Sequence, residues 1–244
     1  MNRSLGMGIL TDKSRRVNMS NEQVSLELEV IGSGSKITLE NFSAYVAGYT
    51  GRKTADVQAH IDELAEIGVA PPPRIPMFYP VDSNSVTTKP TLNASGSKTS
   101  GEVEPLYIRH RGEYYVGVAS DHTDRELETE DIGRSKQVCP KPIATQVIKV
   151  TELESFSLDS AIVRCWVDDQ LYQEGALDGL LRPHEVITKL LNAYDLGDSD
   201  FVCLGGTLPL KTETFVYGTA WALELHTHDQ AITHTYTIEK DSRK

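Results

Sequence analysis

The stretch Glu102-Val103-Glu104-Pro105-Leu106-Tyr107-Ile108, followed by Glu113-Tyr114-Tyr115-Val116-Gly117-Val118-Ala119, predicts two strands at the centre of the chain. Period-two alternation places the carboxylates of Glu102 and Glu104 on one face of the first strand. The second strand ends just before Asp121, which adds a third carboxylate. Three converging carboxylates favour a hard cation such as Mg²⁺, Mn²⁺ or Ca²⁺ over zinc. The two strands therefore predict a metal site within a β-rich domain.

The flanking sequence predicts further strands and only a few helices. Alternating apolar residues predict strands over 24–30, 37–39, 42–49, 143–150, 160–167, 201–204, 216–226 and 233–238. Helical stripes are expected over 54–68 and 183–194, and residues 123–135 are interpreted as a polar, acidic helix or loop. Residues 77–101, with an excess of Ser, Thr, Asn and Gly, are interpreted as a long functional loop.

We therefore predict a mostly β fold with a few helices. Residues 1–23 are polar and are expected to form a flexible tail, whereas 24–244 are expected to form a single catalytic domain. Within this domain, 24–100 would supply an N-terminal part with a lid, and 101–244 a metal-binding β core.

Composition and charge exclude several classes of protein. The 244 residues carry a formal net charge of −11, which argues against binding to nucleic acid or to an anionic membrane surface. The three cysteines are few and widely spaced, which fits a reducing, cytoplasmic location better than a disulfide framework. No run approaches the roughly 18 apolar residues of a membrane span.

Two cations follow the carboxylates at short spacing. Arg125 comes four residues after Asp121, and Lys136 comes fifteen residues after it. Either cation alone is ordinary at a protein surface. A lysine beside a metal site, however, can hold a substrate carboxylate or a developing oxyanion. The combination therefore indicates a catalytic site rather than a solvated strand face.

The order of these motifs resembles that of the fumarylacetoacetate hydrolase superfamily. The matching elements are the Glu-x-Glu strand, the Asp-x-x-x-Arg motif, the lysine, a proline-containing stretch at 140–143, a late turn at 205–209, and upstream His60-Ile61-Asp62-Glu63 followed by prolines at 71–76. The resemblance covers roughly residues 40 to 240. Residues 116–142 look most like an uncharacterised branch of that superfamily, known only as DUF2848.

The resemblance implies a mixed β-roll with a small N-terminal subdomain, and it implies roles for particular residues. Glu102, Glu104 and Asp121 would ligate Mg²⁺ or Mn²⁺, with Ca²⁺ as an alternative. Lys136 would pair with a substrate oxygen, and His60 with Glu63 would activate water or move a proton. Arg125 is expected to bind the substrate or to orient Asp121. Thr207 is expected to bind the substrate through its backbone amide and its hydroxyl group.

By the same resemblance, the protein would be a metal-dependent hydrolase or lyase acting on carbon–carbon bonds. Its substrate would be a small 2-oxo acid or β-dicarbonyl compound, and the reaction would proceed through a metal-stabilised enolate. Hydrolysis is expected first, with decarboxylation, hydration or isomerisation as alternatives. A homodimer is also implied. A non-catalytic protein that binds dicarbonyl compounds remains a separate hypothesis.

The chain departs from the family at several positions. Asp121 follows Glu104 by only seventeen positions, which is a shorter connection than the family's. The family's Asn and Gln are replaced by Ser120 and Glu128, and Leu208 is an extra residue in the late turn. These changes predict a retained metal site with a different substrate pocket.

Two other sets of residues offer weaker alternatives. His226 and His228 would share a face if they lay in one strand, and together with His234 they suggest a cupin-like metal site. Cys139 with His122 as its base would form a nucleophile pair, although no local pattern supports it.

Overall fold

The computed structural model describes residues 24–66, 71–94, 96–212 and 214–240, apart from the side chains of His60, Glu63, Leu64 and Lys240. The predicted tail at 1–23 lies outside the described residues. The strands are β1 Ser25–Val30, β2 Lys36–Glu40, β3 Ser43–Gly48, β4 Met77–Val81, β5 Val86–Thr87, β6 Thr91–Ala94, β7 Thr99–Ser100, β8 Val103–His110, β9 Glu113–Ser120, β10 Thr123–Asp124, β11 Lys141–Pro142, β12 Gln146–Val150, β13 Ile162–Val167, β14 Gln170–Ala176, β15 Phe201–Leu204, β16 Ala220–His226 and β17 Ala231–Lys240. The helices are α1 Thr54–Glu66, α2 Arg125–Glu128, α3 Ile132–Gln137 and α4 Pro183–Tyr194, with 3₁₀ turns at Ser83–Ser85 and Leu177–Gly179.

A curled eight-stranded sheet forms the centre of the molecule, in the order β2-β1-β12-β9-β8-β15-β3-β4. Its concave face encloses an apolar cluster that includes Leu28, Val46, Leu106 and Ile143, all of them inaccessible to solvent. The alternation of buried and exposed residues along β1 follows from its position near one edge, with one face in water. The predicted mostly β fold is confirmed.

A five-stranded sheet in the order β14-β13-β16-β17-β6 packs against the outer face of the first sheet. Val103 and Tyr107 of β8 enter the apolar cluster between the two sheets, while Leu106 and Ile108 enter the concave cluster. Every residue of β8 is therefore buried, because the strand is covered on both faces. Any charged group on this strand must find a partner inside the protein.

The hairpin formed by β8 and β9 sets the position of the carboxylates. Its two-residue turn, Arg111-Gly112, has positive φ at both residues (52° and 81°), as a tight hairpin of this twist requires. The strands pair from His110 with Glu113 down to Val103 with Ser120. The residues just beyond that last pair, Glu102 and Asp121, are consequently brought face to face.

Most predicted elements are confirmed, but the long loop is not. Residues 77–101 contain strands β4 to β7 rather than irregular chain. β4 pairs with β3, and β6 pairs with the distant β17. Both are edge strands, which tolerate Pro80 and the polar residues that made this stretch resemble a loop. Strand β14 was not predicted. No helix within the described ranges is long and apolar enough to span a membrane.

Candidate active site

Three carboxylates meet at the open end of the β8–β9 hairpin. The backbone N–H of Asp121 donates to the carbonyl oxygen of Glu102 at 3.0 Å, which fixes the two residues side by side. Asp121 is inaccessible to solvent, Glu104 is 2% exposed, and the Glu102 side chain is 15% exposed. The backbone therefore places Glu102 beside Asp121, and the role of the three carboxylates as metal ligands stays a prediction.

Two lysines neutralise Asp121. Lys136 Nζ lies 2.5 Å from Oδ2 of Asp121, and Lys141 Nζ lies 3.3 Å from Oδ1. Burial alone would raise the pKa of Asp121, but the two ammonium groups outweigh it and hold that pKa below its ordinary value. Burial alone would lower the pKa of Lys136, but Asp121 and Glu128 outweigh it and keep that pKa raised, so Lys136 stays protonated. The sequence analysis identified Lys136 and missed Lys141.

Short, well-capped elements aim these lysines inward. Asp131 caps α3 by accepting from the N–H of Arg134, and this capped helix carries Lys136 over the carboxylates. Lys141 lies in β11 and is fully buried, and its ammonium also donates to the carbonyl oxygens of His122 and Cys139. Burial lowers the pKa of Lys141. Lys136 thus borders the site, whereas Lys141 supports it from behind.

Arg125 links two carboxylates. One nitrogen of its guanidinium lies 3.1 Å from Glu102, and another lies 2.9 Å from Glu128. The Nε–H of Arg125 donates to the hydroxyl of Ser100 at 2.6 Å. Arg125 therefore contacts Glu102 rather than Asp121, and the lysines rather than Arg125 are what hold Asp121.

The late glycine turn holds Glu104. The N–H of Gly206 donates to Oε2 of Glu104 at 2.8 Å, across 102 residues of sequence. Gly206 has φ +95°, and a Cβ there would lie 1.9 Å from Oγ1 of Thr50, so only glycine fits. The hydroxyl of Thr207 donates to the carbonyl of Val103, so its proton is already used inside the protein. The role of the Thr207 backbone amide stays a prediction.

The carboxylates fit a divalent cation in charge and in donor type. Oδ1 of Asp121 is buried and accepts no hydrogen bond from the described residues, because the nearby Lys141 donates to carbonyl oxygens instead. Burial, and then repulsion by Asp121, raise the pKa of Glu104 well above its ordinary value. Burial also raises the pKa of Glu102. A hard cation between these groups would satisfy the oxygen and relieve the repulsion.

The carboxylates are nonetheless not arranged as a coordination shell. Among the described residues, no group of three or more His, Cys, Asp or Glu side chains lies at metal-binding distances. Part of the reason is visible in the structure, since Lys136 and Arg125 occupy the carboxylates that the cation would use.

Aromatic side chains surround the open side of the site. The ring of Tyr79 lies 5.8 Å from Lys136 Nζ, and its hydroxyl is hydrogen-bonded to that of Tyr49. Tyr49 adopts φ 58°, an uncommon conformation for a bulky residue. On the other side, the ring of Phe215 covers the guanidinium of Arg125 at 4.0 Å. Lys136 itself is 7% exposed.

The predicted acid–base pair and the competing sites have different outcomes. The side chains of His60 and Glu63 lie outside the described part of the structure, so their role stays a prediction.

The prediction that His226 and His228 share one face of a strand is wrong. Strand β16 ends at His226, and the chain turns through 227–230. The two imidazoles pair with different carboxylates, those of Glu224 and Asp229.

The Cys139 alternative is also unsupported. Burial raises the pKa of the Cys139 thiol to about 11, which disfavours the reactive thiolate. His122 is buried and its ring nitrogens are bonded to Thr99 and Tyr236. Burial lowers the pKa of His122 to about 3, so it is neutral and occupied by structural contacts.

Comparison with known proteins identifies the family of the chain. A family model described as a protein of unknown function (DUF2848) matches residues 47–236. No curated protein matches the chain in sequence.

Several solved structures share the fold. A proposed fumarylacetoacetate isomerase/hydrolase from Oleispira antarctica has 14% identity and a TM-score of 0.61, over 87% of this chain and 99% of that one. Fumarylpyruvate hydrolase from Pseudomonas aeruginosa, solved with Mn²⁺ and pyruvate, has 16% identity and a TM-score of 0.58, over 88% and 97%. A 5-carboxymethyl-2-hydroxymuconate delta-isomerase from Mycobacterium smegmatis has 15% identity and a TM-score of 0.54, over 82% and 80%.

Proposed function

The chain belongs to the DUF2848 family and has the fold of fumarylacetoacetate hydrolases, and from this premise we propose that it is a divalent-metal-dependent enzyme acting on a small 2-oxo acid or β-dicarbonyl compound. The reaction that we propose first is hydrolysis of a carbon–carbon bond. The observation that carries the proposal is the buried carboxylate cluster of Glu102, Glu104 and Asp121, bordered by a protonated lysine at its open side.

The residues of the cluster have separate tasks in this proposal. Glu102, Glu104 and Asp121 would hold Mg²⁺ or Mn²⁺, which supplies positive charge beside the substrate oxygen on which negative charge develops. Lys136 keeps its proton because Asp121 and Glu128 raise its pKa, so it can donate to an anionic oxygen of the substrate. Arg125 keeps Glu102 in place through an ion pair of 3.1 Å.

Proteins of the same fold support this type of reaction, but they are named for different reactions. One protein of the same fold is a fumarylpyruvate hydrolase solved with Mn²⁺ and pyruvate, and another is a delta-isomerase. Hydrolysis and isomerisation of such compounds need the same stabilised oxygen, and they differ in whether water is activated. We propose that His60 and Glu63 provide that activation, since they stand three residues apart on α1.

Calorimetric titration of chelator-stripped protein with Mn²⁺, in the presence and absence of oxalate, tests the proposal. We expect binding that oxalate strengthens and that Glu102→Ala and Asp121→Ala both abolish. Glu113→Ala is the matched control, because it removes an exposed carboxylate from the same hairpin, where it pairs only with surface Lys149 and Tyr115. Unchanged titrations in the two cluster variants, or no binding in the wild type, would refute a carboxylate metal site.

A second measurement separates an enzyme from a binding protein. Oxo acids that bind the metal-loaded protein are incubated with the wild type and with His60→Ala. We expect turnover by the wild type and its loss in the variant, with metal and oxalate binding retained. Binding without turnover in the wild type would contradict the enzymatic proposal. We also propose a cytoplasmic homodimer, which light scattering coupled to size exclusion would test for its mass.

A further inference from the structure

Glu128 occupies a position that controls the charge of the site. It ends α2 beside the open side of the cluster, and its side chain is 25% exposed. Its Oε2 accepts from Arg125 at 2.9 Å. Its charge also contributes to raising the pKa values of Lys136, Tyr49 and Tyr79 around the opening. Glu128 is therefore a partly exposed anion that lies close enough to Lys136 to influence its charge.

The cations at the opening already have anionic partners. Arg125 is shared between Glu102 and Glu128, and its Nε–H is bonded to Ser100. The Phe215 ring covers the guanidinium group of Arg125, with 4.0 Å between the Cζ atom and the ring centroid. Arg125 consequently has little capacity to hold a substrate carboxylate. Lys136 is paired with Asp121 at 2.5 Å, and a metal ion held by Asp121 would free Lys136 for that task.

The cavity next to the cluster is open to solvent and lined by uncharged side chains. This cavity of about 530 Å³ is lined by Leu210, Thr214, Phe215 and Tyr217. It adjoins the cluster through Phe215, whose ring lies on Arg125. A ligand that reaches from Lys136 into this open cavity would contact apolar and hydroxyl groups, which suit an uncharged substituent.

We propose that Glu128 makes the site selective for ligands with a single negative charge, so that the substrate is a monoanionic 2-oxo acid with an uncharged substituent. This inference rests on the proposed function. One ligand carboxylate pairs with Lys136. A second anionic group meets Glu128, and repulsion between like charges in a partly buried site disfavours it.

Oxalate and oxamate are suitable probes because they have nearly the same shape but different charges. Oxalate carries two negative charges and oxamate carries one. The ratio of their dissociation constants is measured by calorimetry on the Mn²⁺-loaded protein, so that any change in metal affinity largely cancels. We expect Glu128→Gln to shift this ratio in favour of oxalate by about tenfold. Glu128→Asp retains the charge and should keep the wild-type ratio.

Glu126→Gln is the matched control. It removes the same charge from the same short helix, but the exposed Glu126 pairs with the exposed Lys98 at 2.8 Å. An equal shift in Glu126→Gln, or no shift in Glu128→Gln while both probes still bind, would overturn the inference and leave the proposed function intact. Failure of both probes to bind the metal-loaded wild type would overturn both.

Discussion

Replacing Asp121 with Asn tests whether the buried charges depend on one another. The substitution keeps the shape of the side chain and removes the negative charge between Lys136 and Lys141. Asp121 and Lys141 are inaccessible to solvent, and Lys136 is 7% exposed. The variant therefore leaves two buried ammonium groups without their shared counter-ion, which is the costly way to break a buried ion pair.

The size of the effect follows from the distances. At an effective dielectric constant of about 20, opposite unit charges 2.5 and 3.3 Å apart attract each other by about 5–7 kcal/mol per pair before desolvation is subtracted. After that subtraction we expect the free energy of unfolding to fall by about 3–5 kcal/mol. Lys141, whose pKa is already lowered by burial, can lose its proton and relieve part of the loss.

Urea unfolding of wild type and Asp121→Asn, followed by circular dichroism in metal-free buffer at pH 7, measures this difference. Glu113→Gln is the control, because it breaks a pair that is also 2.5 Å long but about half exposed, and it should cost only about 0–1 kcal/mol. A loss in Asp121→Asn no larger than in the control would refute the reasoning. Adding Lys136→Met to Asp121→Asn should recover part of the loss, since one unpaired charge is removed.

The difference in the free energy of unfolding between the wild type and Asp121→Asn should depend on pH in a defined direction. The folded-state pKa of Asp121 is lowered, so its contribution to stability is fully present above the unfolded pKa of about 4. It should be lost progressively as the pH falls below that value. Unfolding measurements from pH 7 to pH 3 should therefore show the wild type and Asp121→Asn converging towards acid, and a constant gap would contradict the assignment.

Three further predictions follow from the contacts of the site. Gly206→Ala should lower the melting temperature by several degrees and weaken metal binding, whereas Gly179→Ala, where an added Cβ meets nothing, should lower neither by as much. Arg125→Lys should reduce Mn²⁺ affinity by about 10–100-fold, because a lysine there would no longer bridge two carboxylates. The control Arg164→Lys, at a partly exposed position on the other sheet, should leave Mn²⁺ affinity unchanged. The free thiols should react with a disulfide reagent only after unfolding, and fast labelling of the native protein would contradict their burial. They are Cys139, Cys165 and Cys203.

Much of the fold was predictable because its signals are local. Helix 183–194 and strand 201–204 were predicted with the bounds that the structure gives. Their signals, proline at a helix start and a short apolar run, lie within the elements themselves. β4 and β6 were missed because their pairing partners, β3 and β17, decide that they are strands, and β17 lies more than 130 residues away from β6.

The sequence by itself determined the hairpin and the types of residue at its open end. A tight turn at 111–112 and alternating strands bring Glu102 opposite Asp121 whatever surrounds them, since turn geometry and strand period are properties of consecutive residues. Only the tertiary structure decided which charges are buried and how they are paired. The pairing of Lys141 with Asp121, of Gly206 with Glu104 and of Arg125 with Glu102 depends on which surfaces exclude water there. Burial is a property of the whole fold, so no short stretch of sequence encodes it.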